Sequence, residues 1–186
     1  HFFEQGGMAI LPNITPHLAS PEQFRKGLEF TEAYYHRNGI TLACEPGSFL
    51  SKPLQDAING VYSDDATPFN HCFIGDGKSF HAIKPDDATS LLAETRKVGG
   101  WGEGRTWYLP NQVKLFTDGA IYSQLMQMKD GYTDGHHGAW IIDPPAFAFM
   151  FQTYWDAGYQ IHVHNNGDAG MAVLLGALEQ AMKRAP

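Results

Sequence analysis

Lys114 and His164 are residue types that can take part in catalysis or bind a metal ion, and each lies in a short apolar run. Lys114 lies between Val113 and Leu115 in a short apolar run, where a lysine is costly to bury unless it is paired or chemically altered. His164 ends another apolar run, and imidazole is a common ligand of zinc and similar divalent ions. Each residue also has a plainer interpretation: a lysine that reaches the surface, and a buried histidine with a hydrogen-bond partner.

Four further polar residues lie near these two in the sequence. His162 shares a face with His164, because side chains two apart on a strand point the same way. Asn166 and Asp168 follow that strand, where they could orient the histidine or contact a substrate. Asp118 follows the strand of the lysine, and an Asp-Gly turn is its competing interpretation.

The elements that would position these residues alternate between helix and strand. Periodicity and capping residues predict helices at 21–37, 54–61, 85–97 and 144–157 and a last one from Asp168, and strands at 40–44, 69–74, 112–116 and 160–164. The stretch 119–143 lacks periodicity, which is typical of a functional loop. The alternation indicates a parallel sheet, either a βα barrel or an open doubly wound sheet. We favour the barrel because no Gly-x-Gly-x-x-Gly stretch follows a strand.

Composition limits the partners of this 186-residue chain. Its formal net charge of −7 offers no broad basic surface for nucleic acid or an anionic membrane, and no apolar run approaches the roughly 18 residues of a transmembrane helix. Two cysteines without a Cys-x-x-Cys spacing suit a reducing, cytoplasmic compartment. We expect residues 1–186 to be one domain and a fragment of a longer chain, because the sequence begins at His1 without an initiator methionine.

Two motifs together resemble the amidohydrolase superfamily. They are Val-Lys-Leu-Phe-Thr-Asp-Gly at 113–119 and the run from Gly158 to Ala169, which contains His-Asn-Asn-Gly-Asp at 164–168. They are similar in particular to the metal-dependent hydrolase branch that includes N-substituted formamide deformylases, of the amidohydrolase family 3 type. In that branch a Val-Lys-x-Phe-x-Asp-Gly strand precedes a strand that ends in His-Ala-x-Gly-Asp.

The resemblance implies a fold and a chemistry. The fold would be part of a (β/α)8 TIM-like barrel, about strands two to five, in a parent protein with a small β-sandwich domain. The activity would be hydrolysis of C–N bonds of amide, formamide or cyclic amide type by a metal-activated water. Lys114, as a carbamate, and His164 would be ligands of one or two divalent ions, with zinc the expected metal, and His162 would be an additional residue. Two ligands alone would leave the isolated fragment inactive.

Two other functions remain open at this point. A metal-dependent ester or phosphoester hydrolase would use the same barrel, since fold does not determine substrate. A non-catalytic module could instead bind a small molecule with the aromatic-rich loops between residues 101 and 140. We expect a small amide-type molecule as substrate, and a homo-oligomer is left open.

Overall fold

The computed structural model describes residues 9–18, 20–48 and 51–184. Its helices are α1 (Leu11–Leu18), α2 (Pro21–Arg37), α3 (Lys52–Tyr62), α4 (Gly77–Ile83), α5 (Ala88–Val98), α6 (Pro144–Asp156) and α7 (Asp168–Arg184), with a 3₁₀ turn at Ile121–Ser123. Its strands are β1 (Leu42–Ser48), β2 (Asn70–Asp76), β3 (Thr106–Phe116) and β4 (Gln160–His164). The strands form a sheet in the order β1-β2-β3-β4.

Most of the predicted elements are present. Helices α2 and α6 and strand β4 lie where the sequence pattern predicts them. The start of α2 is fixed by a capping box, in which Ser20 and Gln23 each accept a hydrogen bond from the backbone N–H of the other. Strand β1 continues through residues 45–48, predicted as a loop, and β3 begins six residues early, at Thr106. The pattern does not predict α1 or α4.

The prediction of a (β/α)8 barrel segment with a β-sandwich in the parent is wrong. The structure is a small α/β domain whose sheet has four parallel strands, a half-barrel, and closure into such a barrel needs eight. Within the described ranges there is no second sheet that could form a sandwich. The alternation of helices and strands correctly predicts the α/β class and the parallel pairing, but it does not determine whether the sheet closes into a barrel.

One compact unit comprises residues up to 75 together with 96–110. Its aromatic core includes Phe73 packed on Tyr108, with ring centroids 5.2 Å apart, and Phe69 packed on Tyr62 at 4.9 Å. His71 is stacked on Phe73 in this core, and burial lowers the pKa of its imidazole, which favours the neutral form. Each aromatic side chain buries about 150–250 Å², so ring packing is the main stabilising contribution to this unit.

The second unit comprises residues 76–95 and 111 onwards. Val113 and Leu115 of β3 are fully buried in it. A Cβ atom on Gly77 would lie 2.7 Å from Cδ2 of Leu115 and 3.2 Å from Cε2 of Tyr154, so the start of α4 packs closely here because residue 77 has no side chain. Burying a side chain such as leucine contributes about 1.5–3 kcal/mol, and these positions therefore fix which face of β3 is covered.

Strand β3 changes the phase of its buried residues part-way along. The buried positions are 106 and 108 in its first part and 113 and 115 in its second. Asn111 lies between them with a φ of 54°, a left-handed conformation that locally re-aims the side chains of a strand. The second phase is the one that the sequence predicts for residues 112–116.

The helices are short or polar in comparison with a membrane-spanning segment, which needs about 20 predominantly apolar residues. Helices α2 and α7 have 17 residues each, and both carry charged side chains. Within residues 9–18, 20–48 and 51–184, no helix combines the length and the apolarity needed to cross a bilayer.

Candidate active site

Lys114 and His164 lie on one face of two neighbouring strands. Strands β3 and β4 pair in parallel, with Lys114 opposite His162 and Phe116 opposite His164. Because paired residues of parallel strands point to the same side, these four side chains share a face, and all four are partly exposed. The structure therefore brings together the two residues that the sequence singles out, and their role as ligands stays a prediction.

The environment of Lys114 disfavours a charged ammonium. Its Nζ atom lies 5.2 Å from the centroid of the Phe116 ring, and Nζ of Lys78 on α4 lies 5.8 Å from the same centroid. Within the described residues, no carboxylate forms an ion pair with Lys114. Burial lowers the pKa of Lys114, because desolvation penalises the cation. A lowered pKa increases the share of neutral amine, the form of lysine that reacts with carbon dioxide.

Asp118 is a fully buried carboxylate that joins three segments of the chain. Its Oδ2 atom accepts hydrogen bonds from the backbone N–H of Gln127 at 2.8 Å and of Gly167 at 2.7 Å. Its Oδ1 atom accepts from the N–H of Asn166 at 2.9 Å and lies 3.0 Å from the hydroxyl of Thr117. Hydrogen bonds to an ionised acceptor are the stronger ones, so this carboxylate holds the segment before α7 against the end of β3.

Asn166 connects Asp118 to His164. Its side-chain amide donates to the carbonyl of Gly119 at 3.0 Å, which fixes the NH₂ group on that side. The same nitrogen lies 3.1 Å from Nε2 of His164, so the imidazole accepts there and carries its proton on Nδ1. The prediction that Asn166 orients a ligating His164 stays a prediction.

The other two polar candidates have different partners. Nε2 of His162 lies 2.8 Å from Oε1 of Gln112 on the neighbouring strand, a contact in which the imidazole donates. Asp168, the first residue of α7, accepts from the backbone N–H of Lys129 at 2.9 Å. His162 thus fits the plainer interpretation of a hydrogen-bonded histidine, and Asp168 holds the long loop.

The loop at 119–143 folds back on the end of β3 through close backbone contacts. The N–H of Gly119 lies within hydrogen-bonding distance of the carbonyls of Leu125 and Ala139, at 3.1 and 3.0 Å. A Cβ atom on Gly138 would lie 2.1 Å from the carbonyl oxygen of Met126, and one on Gly167 would lie 1.9 Å from that of Gln127. No side chain fits at either position, so glycine at 138 and 167 allows these close contacts between backbone segments.

The loop histidine His136 has its own partners. Its Nδ1 atom donates to Asp134 at 2.5 Å, its Nε2 atom donates to the carbonyl of Gln124 at 3.1 Å, and its ring stacks on Tyr132 with centroids 4.2 Å apart. The hydrogen bond to Asp134 raises the pKa of the imidazole. Because both ring nitrogens donate, this histidine is part of the loop structure.

Sequence reasoning missed one buried acid, Asp76 at the end of β2. It is 1% exposed, and its carboxylate accepts from the backbone N–H of Lys78 at 3.1 Å and from the hydroxyl of Ser79 at 2.6 Å. Burial raises the pKa of this carboxyl group above its usual range. Its signal in the sequence is an Asp-Gly pair after an apolar strand, the same signal as at 118–119.

The residues of the shared face fit part of a metal site. Lys114 and His164 supply an amine and an imidazole, whereas a catalytic zinc ion uses three protein ligands. Nε2 of His164 accepts from Asn166 and Nδ1 carries the ring proton, so Nδ1 could bind a metal only after that proton moves to Nε2. Within the described ranges, no group of three or more His, Cys, Asp or Glu side chains could hold a metal ion. Further ligands would have to come from outside these residues.

A cavity of about 260 Å³ lies beside Asn166, next to the face that carries His164. Its lining consists of residues of the loop and of the start of α7: Met126, Met128, Lys129, Asp130, Asn166, Gly167 and Asp168. Asn166 lines this cavity and also contacts the imidazole of His164.

Two solved structures share this fold. The chain matches an uncharacterized metal-dependent hydrolase from Pyrococcus horikoshii OT3 over 95% of its own length and 34% of that chain, with a TM-score of 0.63 and 14% identity. It matches another from Pyrococcus furiosus over 96% of its length and 35% of that chain, with a TM-score of 0.63 and 16% identity. The similarity is one of fold. The chain spans about a third of these proteins.

No protein-family model and no curated protein sequence matches the chain. Both matched proteins are named metal-dependent hydrolases, and at 14% and 16% identity their similarity to this chain concerns the fold alone. The narrower predictions, membership of amidohydrolase family 3 and similarity to formamide deformylases, remain predictions, as do zinc and a carbamylated lysine.

Proposed function

We propose that this chain contributes Lys114 and His164 to the metal centre of a hydrolase that cleaves C–N bonds of amide, formamide or cyclic amide type. The observation that carries the proposal is the placement of both side chains on one face of β3 and β4, near the carboxyl ends of these parallel strands. Ligands and catalytic residues of parallel α/β sheets gather at this edge.

The surroundings of His164 support its role. A ligating histidine is usually held by a hydrogen bond to its other ring nitrogen, which fixes the orientation of the ring. The side-chain amide of Asn166 lies at Nε2, where its NH₂ group donates to the ring, and Asp118 in turn holds the backbone of Asn166. Ligation through Nδ1 would move the ring proton to Nε2, where the amide oxygen of Asn166 would have to replace its NH₂ group.

The surroundings of Lys114 support a modified amine. The Nζ atom lies over the Phe116 ring, which attracts a cation weakly, but the side chain lacks a carboxylate partner among the described residues and burial lowers its pKa. Reaction of the neutral amine with carbon dioxide would form an N–C bond, release one proton and give an anionic oxygen ligand. A bound divalent ion would supply the Lewis acid that polarises a carbonyl and acidifies water.

The similarity of fold to two metal-dependent hydrolases supports the reaction class, and the motifs at 113–119 and 158–169 support the C–N bond as its target. The substrate would be a small amide-type molecule. The net charge of −7 is consistent with the absence of nucleic acid or an anionic membrane surface among the partners.

The test compares two histidines on one strand. The protein as expressed from its gene is incubated with zinc and bicarbonate, free metal is removed, and bound zinc and hydrolysis of N-formyl and cyclic amide substrates are measured. We expect Lys114→Ala and His164→Asn to lower zinc affinity at least about tenfold and to abolish hydrolysis. His162→Asn, the matched control, is expected to retain both, because His162 bonds to Gln112.

Three results would contradict the proposal. Equal loss of zinc in His162→Asn would show that strand packing, and not ligation, is measured. Zinc affinity that is unchanged in Lys114→Ala and His164→Asn would show that neither residue is a zinc ligand. Hydrolysis of the matched esters without the amides would contradict the C–N specificity while the metal-binding result stands by itself.

A further inference from the structure

The two cysteines of the chain are neighbours in the sheet, although 27 residues separate them in the sequence. Cys44 of β1 and Cys72 of β2 are direct partners in the parallel register. Paired residues of adjacent strands point to the same face, so both thiols lie on the same side of the sheet. This pair is independent of the proposed hydrolase site.

The geometry is compatible with a covalent bond between the two sulfur atoms. Adjacent strands lie about 4.8 Å apart, and disulfide-bonded cysteines have Cα atoms roughly 4.4–6.8 Å apart. The thiol of Cys72 donates to the carbonyl of Ala43 at 3.5 Å, on the strand that carries Cys44. The two cysteines are paired in register, so rotation of the side chains is the movement needed to bring the sulfur atoms to bonding distance.

The two thiols differ in access to solvent. Cys44 is exposed on β1, which is the outer strand of the described sheet, whereas Cys72 is 3% exposed. A small oxidant can thus reach Cys44 first, and the buried partner lies within reach of the sulfur that has reacted. This arrangement corresponds to an attacking and a resolving cysteine.

We propose that Cys44 and Cys72 form a reversible intramolecular disulfide that covalently links β1 to β2 when a low-molecular-weight disulfide such as oxidised glutathione is present. The thiolate of Cys44 attacks one sulfur of the oxidant, which forms a mixed disulfide and releases one glutathione thiolate. The thiolate of Cys72 then attacks Cys44 and releases the second. Two S–H bonds of the protein are lost, one S–S bond forms, and the oxidant takes up the electron pair as two thiols.

The reaction is slow at neutral pH. Partial burial and the hydrogen bond to Cys72 raise the pKa of the Cys44 thiol to about 12, so little thiolate is present at pH 7. Below that pKa the thiolate fraction rises about tenfold with each pH unit. The pair therefore stays reduced during brief oxidant exposure and closes under sustained or alkaline oxidation.

The test is the intact mass of the folded protein after incubation with oxidised glutathione at pH 9, followed by peptide mapping under non-reducing conditions. We expect the chain to lose two hydrogens, a peptide from β1 to be linked to one from β2, and dithiothreitol to restore the original mass. Circular dichroism of the oxidised protein is expected to match that of the reduced protein, which shows that the bond forms in the folded state. Cys72→Ser is expected to stop at one glutathione on Cys44.

The remaining results overturn the proposal. They are a chain that keeps both thiols, a chain that carries glutathione on each cysteine, a disulfide between two copies, and a bond that forms only after urea is added. Each would show that the two sulfur atoms do not meet in the folded protein. The Cys44→Ser variant checks the order of attack, because it is expected to react more slowly than Cys72→Ser, and faster reaction would assign the first attack to Cys72.

Discussion

Two buried aspartates, Asp76 and Asp118, occur in the same sequence pattern but stabilise different parts of the structure. Each ends or follows a strand of the sheet and precedes a glycine. The donors to Asp76 come from Lys78 and Ser79, two and three residues away, so this carboxylate caps the helix that follows it. The backbone donors to Asp118 come from residues 127, 166 and 167, so it holds distant segments together.

The chemistry of the donors separates the two sites further. One donor to Asp76 is the hydroxyl of Ser79, which can turn and accept a hydrogen bond instead. Both oxygens of Asp118 face backbone N–H groups, which can only donate. A carboxylate is therefore replaceable at position 76 and required at position 118, although the sequence around the two is alike.

The largest expected effect is that of Asp118→Asn. Either side-chain oxygen of Asp118 accepts a hydrogen bond from a backbone N–H group. An NH₂ group in place of either oxygen cannot accept, so a buried N–H group loses its partner. We expect the free energy of unfolding to fall by about 3–5 kcal/mol, as for a buried ionic contact that loses one member. Urea denaturation followed by circular dichroism measures this change. Asp76→Asn is the matched control, and an equal loss there would contradict the distinction between the two sites.

The glycines that follow the two aspartates, Gly77 and Gly119, also differ in the space around them. A Cβ atom at residue 119 would lie 2.4 Å from Cβ of Leu125 and 3.0 Å from its carbonyl oxygen, which only a backbone shift can relieve. At Gly77 the three nearest atoms belong to the ends of side chains. We expect Gly119→Ala to lower the free energy of unfolding by about 3 kcal/mol and Gly77→Ala by about 1 kcal/mol, measured by urea denaturation. A larger loss for Gly77→Ala than for Gly119→Ala would show that the loop backbone adjusts to a new side chain more easily than the core does.

The smallest expected effect is a dependence on pH at Asp76. Burial raises the pKa of its carboxyl group in the folded state, so between the unfolded and the folded pKa the folded state binds more protons. Its stabilising contribution is thus present at low pH and is lost as pH rises through the folded pKa. The Asp76→Asn variant has no titrating group at this position and does not lose this stabilisation. We therefore expect its free energy of unfolding to rise relative to that of the wild type between pH 4 and pH 7. A constant difference in urea denaturation would contradict a raised pKa.

Local patterns in the sequence were sufficient for much of the fold. Ser20, Pro21 and Gln23 determine where α2 begins, because the capping box and the proline act within one turn. Strand β4 and its alternation were predicted for the same reason: neighbouring residues carry the signal. The parallel order of strands also follows from the alternation of elements.

Other parts of the fold depended on long-range pairing. Strand β1 extends past Pro46, a poor strand former, because Pro46 pairs with Ile74 and Ser48 with Gly75 of β2, with an irregularity in the register between them. The four strands were predicted from local patterns, whereas closure of a sheet into a barrel depends on pairing between distant strands, and the barrel prediction failed for that reason. The short helix α4 begins at a glycine, a poor helix former, and is stabilised by the cap from Asp76.

At the candidate site the sequence by itself determined which residue types stand at the ends of two strands, because strand periodicity and turn signals are local. Only the tertiary structure decided what those residues contact. His162 and Gln112 meet across 50 residues, and Asn166 and Asp118 across 48. A hydrogen bond depends on where distant segments are packed, and the energy that packs them comes from the buried faces of the sheet and helices, which no single motif contains.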